Sequence, residues 1–227
     1  MGGEEARAGV ARGVCGALEA ACAGSRAQVV GSLAAGADDA YSDIDVEWVV
    51  PDPSFTGCVT RARSVLERVR PVADVRIDPD FRHSERRRLL FVRFEGLPLF
   101  WRLDLSVRAE SVAGDAAYDV GNPRAWARDD EWSRPASALA NAVGAVKAVA
   151  RRRPQDARGL LDRGFDRIGV DDRATGAWTD DIARLARASA DQEPALTALA
   201  AQVVALAAEH AEHAEHAGDT DTAHPGA

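Results

Sequence analysis

The hydrophobic pattern of this chain changes in character near residue 110. Before that point, stretches with helical spacing alternate with short stretches typical of strands, and after it almost every pattern is helical. This order predicts an α/β domain followed by a C-terminal helical bundle. We place the α/β domain at residues 1–114, the helical domain at 115–208 and an acidic, disordered tail at 209–227.

Composition limits the classes of protein to which the chain can belong. No stretch approaches the ~18 uncharged apolar residues of a transmembrane helix. Glu4 and Glu5 stand where a secretory signal would carry positive charge, and the three cysteines show no CxxC spacing, so we expect a cytoplasmic protein. The formal net charge is −8, much of it in the tail, which disfavours a nucleic-acid or membrane partner. The sequence does not indicate an oligomeric state.

The same patterns predict individual elements. The last two strands are expected to form a hairpin around residues 96–98, the run 86–88 is interpreted as a charged turn, and Thr179 is expected to cap a helix. Strands are predicted over 27–31, 43–50, 72–77, 89–94 and 99–107, and helices over 4–23, 55–69, 137–151, 158–168, 179–190 and 195–210.

Acidic residues interrupt two strongly apolar strands. Asp43 and Asp45 are separated by one residue, so on a strand they share a face with alpha carbons ~6.7 Å apart. Asp104 lies in the middle of the hydrophobic stretch LFWRLDLSV. If these strands are neighbours, two carboxylates ~6 Å apart repel by about 2.8 kcal/mol at an effective dielectric of 20. Either divalent cations lie among the three acids, or Arg102 and other arginines neutralise them.

A Gly-Ser pair precedes these acids in the chain. Gly31 and Ser32 end the strand before the one that holds Asp43 and Asp45. Backbone N–H groups and a hydroxyl at such a strand end can bind a phosphate. Many turns contain Gly-Ser without any such role, so the pair is informative only together with the acids.

The combined pattern resembles the nucleotidyltransferase fold shared by DNA polymerase beta, aminoglycoside and lincosamide nucleotidyltransferases, and small bacterial nucleotidyltransferases. Gly31 and Ser32 match the Gly-Ser signature of that superfamily, Asp43 with Asp45 matches its paired acids, and Asp104 matches its third acid. The resemblance covers residues 25–110 and, more loosely, the helical half. It implies a mixed sheet with helices packed on it.

The resemblance also implies a chemistry. Asp43 and Asp45 would bind two Mg²⁺ ions that hold the triphosphate of ATP or another nucleoside triphosphate. Asp104 would bind the second metal ion and help to deprotonate an acceptor hydroxyl. The backbone of Gly31 and the hydroxyl of Ser32 would hold the β and γ phosphates.

Lys147 is a further candidate nucleotide-binding residue. It is the only lysine in an arginine-rich chain and lies near the edge of the apolar stripe of its predicted helix, from which it could reach a phosphate. A solvated lysine at a helix edge fits the same position.

The resemblance therefore implies a nucleotidyltransferase (EC 2.7.7-type) that transfers a nucleoside monophosphate, AMP from ATP, to a hydroxyl of a small molecule. Its expected partners are the nucleotide and that hydroxylated acceptor. Three alternatives stay open: a toxin-like enzyme that modifies protein or tRNA, a non-catalytic nucleotide-binding module of the same fold, and a purely structural ion network around Arg102 and Asp104. A DxD motif also occurs in glycosyltransferases, but the upstream Gly-Ser favours nucleotidyl transfer.

Overall fold

A computed structural model describes the backbone of residues 2–219 and, within that range, the side chains of residues 6–210. It is a mixed α/β structure whose described residues form two compact units, divided between Trp132 and Ser133. The boundary predicted after residue 114 lies at the start of the turn-rich connection 115–132, and this division lies at its end. The predicted tail overlaps the last helix, and residues 220–227 lie outside the described part of the chain.

The first unit is built on a mixed five-stranded sheet with the order β1-β2-β5-β4-β3. Strands β2 and β5 are parallel, and the other neighbouring pairs are antiparallel. The elements in chain order are α1 (Gly2–Ala21), β1 (Arg26–Val30), α2 (Gly31–Ala35), β2 (Ile44–Val50), α3 (Phe55–Leu66), β3 (Val72–Ile77), β4 (Arg87–Phe94) and β5 (Leu103–Ala109).

One face of this sheet forms the hydrophobic core with α1 and α3. Alternate residues of the two central strands point into it, because successive side chains of a strand face opposite sides. The buried set includes Ile44, Val46, Trp48 and Val50 of β2 and Leu103, Leu105, Val107 and Ala109 of β5. The residues between them therefore lie on the opposite, more polar face.

The predicted starts of the last two strands of this unit were wrong. Strand β5 begins at Leu103 and not at residue 99, because the amide of Trp101 donates to the carbonyl of Pro98 at 2.9 Å and closes a turn. Arg87 and Arg88 belong to β4, so only Arg86 of the charged run lies in the turn before it. The antiparallel pairing of β4 with β5 was predicted correctly.

The second unit is helical, with α4 (Arg134–Ala150), α5 (Pro154–Arg167), α6 (Trp178–Gln192) and α7 (Thr197–Asp219). Helix α4 packs against the other three, and α6 packs against α7. Gly164 allows a close approach of α5 to α6, since a β-carbon there would lie 2.5 Å from Cδ2 of Leu185. None of the helices in the described range combines the length and apolar character needed to cross a membrane.

Thr179, the predicted cap of α6, lies inside that helix, whose N-cap residue is Ala177 and which has no side-chain cap hydrogen bond among the described residues. Asp181 is fully buried and accepts hydrogen bonds from the amides of Thr175 and Gly176, at 2.9 Å each, and from Arg184 at 2.6 Å. Burial alone would raise the pKa of Asp181, but the hydrogen bonds from Arg184, Gly176 and Thr175 outweigh it and lower that pKa. The carboxylate thereby ties α6 to the loop before it.

Candidate active site

Asp45 and Asp104 lie side by side on the two central strands. The parallel pairing of β2 with β5 places them directly in register. Asp43 immediately precedes β2 and is two residues from Asp45, so the alternation of the chain directs it to the same side. Because the flanking residues Ile44 and Leu103 are buried in the core, the acids occupy the polar face of the sheet. The structure therefore brings together three of the residues that the sequence singled out.

Arg102 lies among these carboxylates. Its Nε and one terminal nitrogen donate to the two oxygens of Asp104 at 2.6 and 2.7 Å, and the terminal nitrogen lies 3.9 Å from Oδ2 of Asp43. The guanidinium carbon also lies 4.6 Å from the centroid of the Phe91 ring. Burial alone would lower the pKa of Arg102, but the hydrogen bonds with Asp104 and the charges of Asp43 and Asp45 outweigh it and raise that pKa. The positive charge of Arg102 thus interacts with all three acidic residues.

The Gly-Ser pair borders the same cluster. Val30, the last residue of β1, is paired with Asp45, and Gly31 follows it with a φ of +68°. A β-carbon at Gly31 would lie only 2.5 Å from Oδ2 of Asp45. No other residue type fits there without movement, because the position combines a left-handed backbone with a close carboxylate. Ser32 comes next, is partly buried and lies in α2.

Arg7 shapes the segment that leads into the cluster, and sequence reasoning missed it. Although it is an arginine, its residue is only 1% exposed. It donates to the carbonyl of Asp39 at 2.7 Å and to that of Ser42 at 3.3 Å, and it forms an ion pair with Asp38. A signal was present in the sequence: Arg7 follows the helical spacing of the buried stripe of α1, where a charge requires partners.

Glu47 lies on the same face of β2 but belongs to a different set of contacts. Nε of Arg108 lies 3.4 Å from one of its oxygens, and Gln28 donates to the other at 3.0 Å. Arg108 is itself buried and also donates to the carbonyl of Asp115 at 2.8 Å. Glu47 is therefore neutralised within the sheet and does not add to the acidic cluster.

Lys147 lies in α4 of the second unit and is partly buried. Gly31, Ser32 and the three acids all belong to the first unit. Its assignment to nucleotide binding remains a prediction from the sequence.

The donor set at the cluster suits magnesium. Mg²⁺ prefers carboxylate oxygens and retains several waters, so a few acidic side chains are enough to hold it. Asp43, Asp45 and Asp104 carry three formal negative charges on one face of the sheet, and a divalent cation would offset their mutual repulsion. Among the side chains from residue 6 to residue 210, no three His, Cys, Asp or Glu form a ready-made metal site. Both oxygens of Asp104 accept hydrogen bonds from Arg102, and each keeps a second lone pair through which it could also bind a cation.

Comparisons with known proteins add no family assignment. No family model matches the chain, and no curated protein matches it either. A functional proposal must therefore be based on the acidic cluster, on the close contact between Gly31 and Asp45, and on the sequence resemblance that these residues carry.

Proposed function

We propose that this protein has the nucleotidyltransferase fold and transfers a nucleoside monophosphate, AMP from ATP, to a hydroxyl group of a small molecule. The observation that carries the proposal is the register of Asp45 with Asp104, on adjacent parallel strands and beside Gly31. Three carboxylates next to a glycine that leaves no room for a side chain suit a site where a metal-bound phosphate chain approaches the backbone.

Each residue has a definite part in this reaction. Asp43, Asp45 and Asp104 would hold Mg²⁺, which when bound offsets the negative charge of the triphosphate and polarises the α-phosphate. Gly31 and Ser32 would position the β and γ phosphates with a backbone amide and a hydroxyl. Asp104 would accept the proton of the acceptor hydroxyl. The hydroxyl oxygen forms a bond to the α-phosphorus, the bond from that phosphorus to the bridging oxygen breaks, and pyrophosphate leaves with the electron pair.

Arg102 has a part in the site before nucleotide binds. Its bidentate contact with Asp104 offsets part of the repulsion among the acids, which would otherwise destabilise the adjacent ends of β2 and β5. When cation and nucleotide bind, Asp104 would coordinate the cation through its remaining lone pairs while Arg102 continues to offset its charge. In the alternative interpretation, a purely structural ion network, Arg102 alone offsets the charge of Asp104 and the cluster binds no nucleotide.

Label transfer distinguishes these possibilities. The full chain is incubated with Mg²⁺ and a panel of hydroxylated metabolites, with ATP labelled at either the α or the γ phosphate, and products are identified by mass spectrometry. We expect the α label on an acceptor and the γ label in pyrophosphate. Label on the protein itself or on added tRNA would instead indicate the toxin-like alternative, and nucleotide binding without transfer would indicate the non-catalytic module.

Two variants make the assay specific for the cluster. Asp104→Asn preserves the shape of the side chain but removes its charge, and we expect it to abolish transfer. Asp74→Asn makes the same change on β3 at the edge of the sheet and is expected to have no effect. Equal transfer in both variants would show that Asp104 takes no part in the reaction.

A further inference from the structure

The first unit contains a polar cavity of about 480 Å³ that is separate from the acidic cluster. Its lining consists of Asp52, Phe55, Thr56, the segment 82–86 before β4, and Arg88. Its volume lies within the range of small-molecule sites. Such a cavity can hold a compact metabolite.

The sheet register places this cavity away from the acids. Arg88 is paired with Val107, three residues beyond Asp104 along β5, a displacement of ~10 Å. Arg88 is two residues from the buried Leu90 on β4, so its side chain lies on the core side of the sheet. Asp104 is paired with Phe91 and lies on the polar face. The cavity therefore lies at the opposite end of the sheet from the acidic cluster and on the opposite side of the sheet.

Several charges that line the cavity are already balanced by protein partners. Asp52 accepts the amide and the hydroxyl of Ser111 at 2.9 and 2.5 Å and lies 3.6 Å from Nη1 of Arg86. These interactions, led by the hydrogen bonds from Ser111, lower the pKa of Asp52. His83 contacts Glu131 at 2.5 Å.

Two guanidinium groups that line the cavity, those of Arg82 and Arg88, form no ion pair with a described carboxylate. The side chain of Arg82 forms no hydrogen bond or ion pair with any described residue, although it is partly buried. Arg88 donates through Nη1 to the carbonyls of Phe81 and Ser84 at 2.5 and 2.6 Å but meets no carboxylate within ion-pair distance in the described chain. Burial, and next the charge of Arg82, lower the pKa of Arg88. Glu85, the remaining acid of the lining, is exposed and pairs with neither arginine.

We propose that this cavity binds a small molecule through a phosphate monoester group held by Arg82 and Arg88. Two unneutralised guanidiniums offer forked N–H groups to several oxygens at once, which suits the dianion of a phosphate monoester better than a single carboxylate. Nη1 of Arg88 is occupied by carbonyls, so its other N–H groups remain for the ligand. The cavity is larger than a phosphate ion, and the organic part of the ligand would fill the remainder.

Isothermal titration calorimetry of the full chain tests this site with two probes, inorganic phosphate and phenyl phosphate. The titration is made at about pH 8, where a phosphate monoester is a dianion, and in EDTA so that no metal ion bridges phosphate to the acidic cluster. We expect both probes to bind, with phenyl phosphate binding more tightly. No binding of either probe, or equal affinities for the two, would overturn the proposal.

Three variants locate the binding. Arg82→Gln removes a side chain without protein partners and is expected to weaken phenyl phosphate binding by at least about tenfold. Arg68→Gln, the matched control, removes an equal charge from an exposed position just after α3 and should leave the affinity unchanged. Asp45→Asn should also leave it unchanged. Equal affinities in the Arg82 and Arg68 variants, or a loss in the Asp45 variant, would contradict a site in this cavity.

Discussion

Replacing Gly31 by alanine tests whether the end of β1 lies against the acidic cluster. The φ of +68° costs a non-glycine residue about 1–2 kcal/mol. The new methyl group would also lie 2.5 Å from Oδ2 and 3.1 Å from Cγ of Asp45, and relieving such overpacking typically costs ~1–3 kcal/mol. We therefore expect Gly31→Ala to lower the free energy of unfolding by about 2–5 kcal/mol.

Gly36→Ala is the matched control, because Gly36 has a φ of +64° but nothing within 4 Å of its added β-carbon. It should cost only the backbone part, about 1–2 kcal/mol. Urea unfolding followed by tryptophan fluorescence reports on this region through Trp48 of β2, which is buried. In an Asp45→Ala background the cost of Gly31→Ala should fall towards that of Gly36→Ala. Equal costs for the two glycine variants in the wild-type background would refute the close contact of Gly31 with Asp45.

Three further substitutions test interactions within each unit, one in the first unit and two in the second. Arg7→Met should destabilise the first unit by ~3–5 kcal/mol, measured by urea unfolding, because it leaves the partners of a buried cation unpaired. Asp181→Asn should destabilise the second unit near neutral pH, measured by thermal unfolding. The native pKa of Asp181 is lowered, so its ionised carboxylate stabilises the folded state fully at a pH above the unfolded-state pKa of about 4. This stabilisation is lost as the pH falls through the native pKa. The stabilities of wild type and variant should therefore converge in acid. An unchanged gap at low pH would contradict this contribution. Gly164→Ala should cost ~1–3 kcal/mol in chemical unfolding because its methyl group meets Leu185, and a neutral effect would show that α5 and α6 can separate freely.

The sequence was sufficient to predict the central strands and the acids they carry. Alternating buried residues in β2 and β5 identify both strands and place Asp45 and Asp104 on the face opposite the core. The pairing of these two strands was an assumption that the sequence could not establish, because parallel neighbours are set by long-range packing and not by a local turn. The antiparallel pair β4 and β5 was easier, since a short connection joins it.

Contacts between residues distant in sequence were harder to predict from the sequence. Whether Arg102 or a metal ion offsets the acids was left open, and the structure places Arg102 on Asp104. The charged run before β4 was interpreted as a solvated turn, because a sequence does not show that Arg88 binds the carbonyls of the loop before it. The hydrogen bonds of Asp181 with the loop before α6 were missed for the same reason, because a sequence does not show which backbone amides reach its carboxylate.

Calorimetric titration with ATP, in the presence and absence of Mg²⁺, tests the proposed active site most directly. If Asp43, Asp45 and Asp104 hold a metal-bound triphosphate, wild-type protein should bind ATP at least about tenfold more tightly with Mg²⁺ than without it, and Asp45→Asn should weaken the Mg²⁺-dependent binding by at least about tenfold. Asp74→Asn should bind like wild type. ATP affinity that is the same with and without Mg²⁺, or the same in Asp45→Asn as in wild type, would contradict the proposed function.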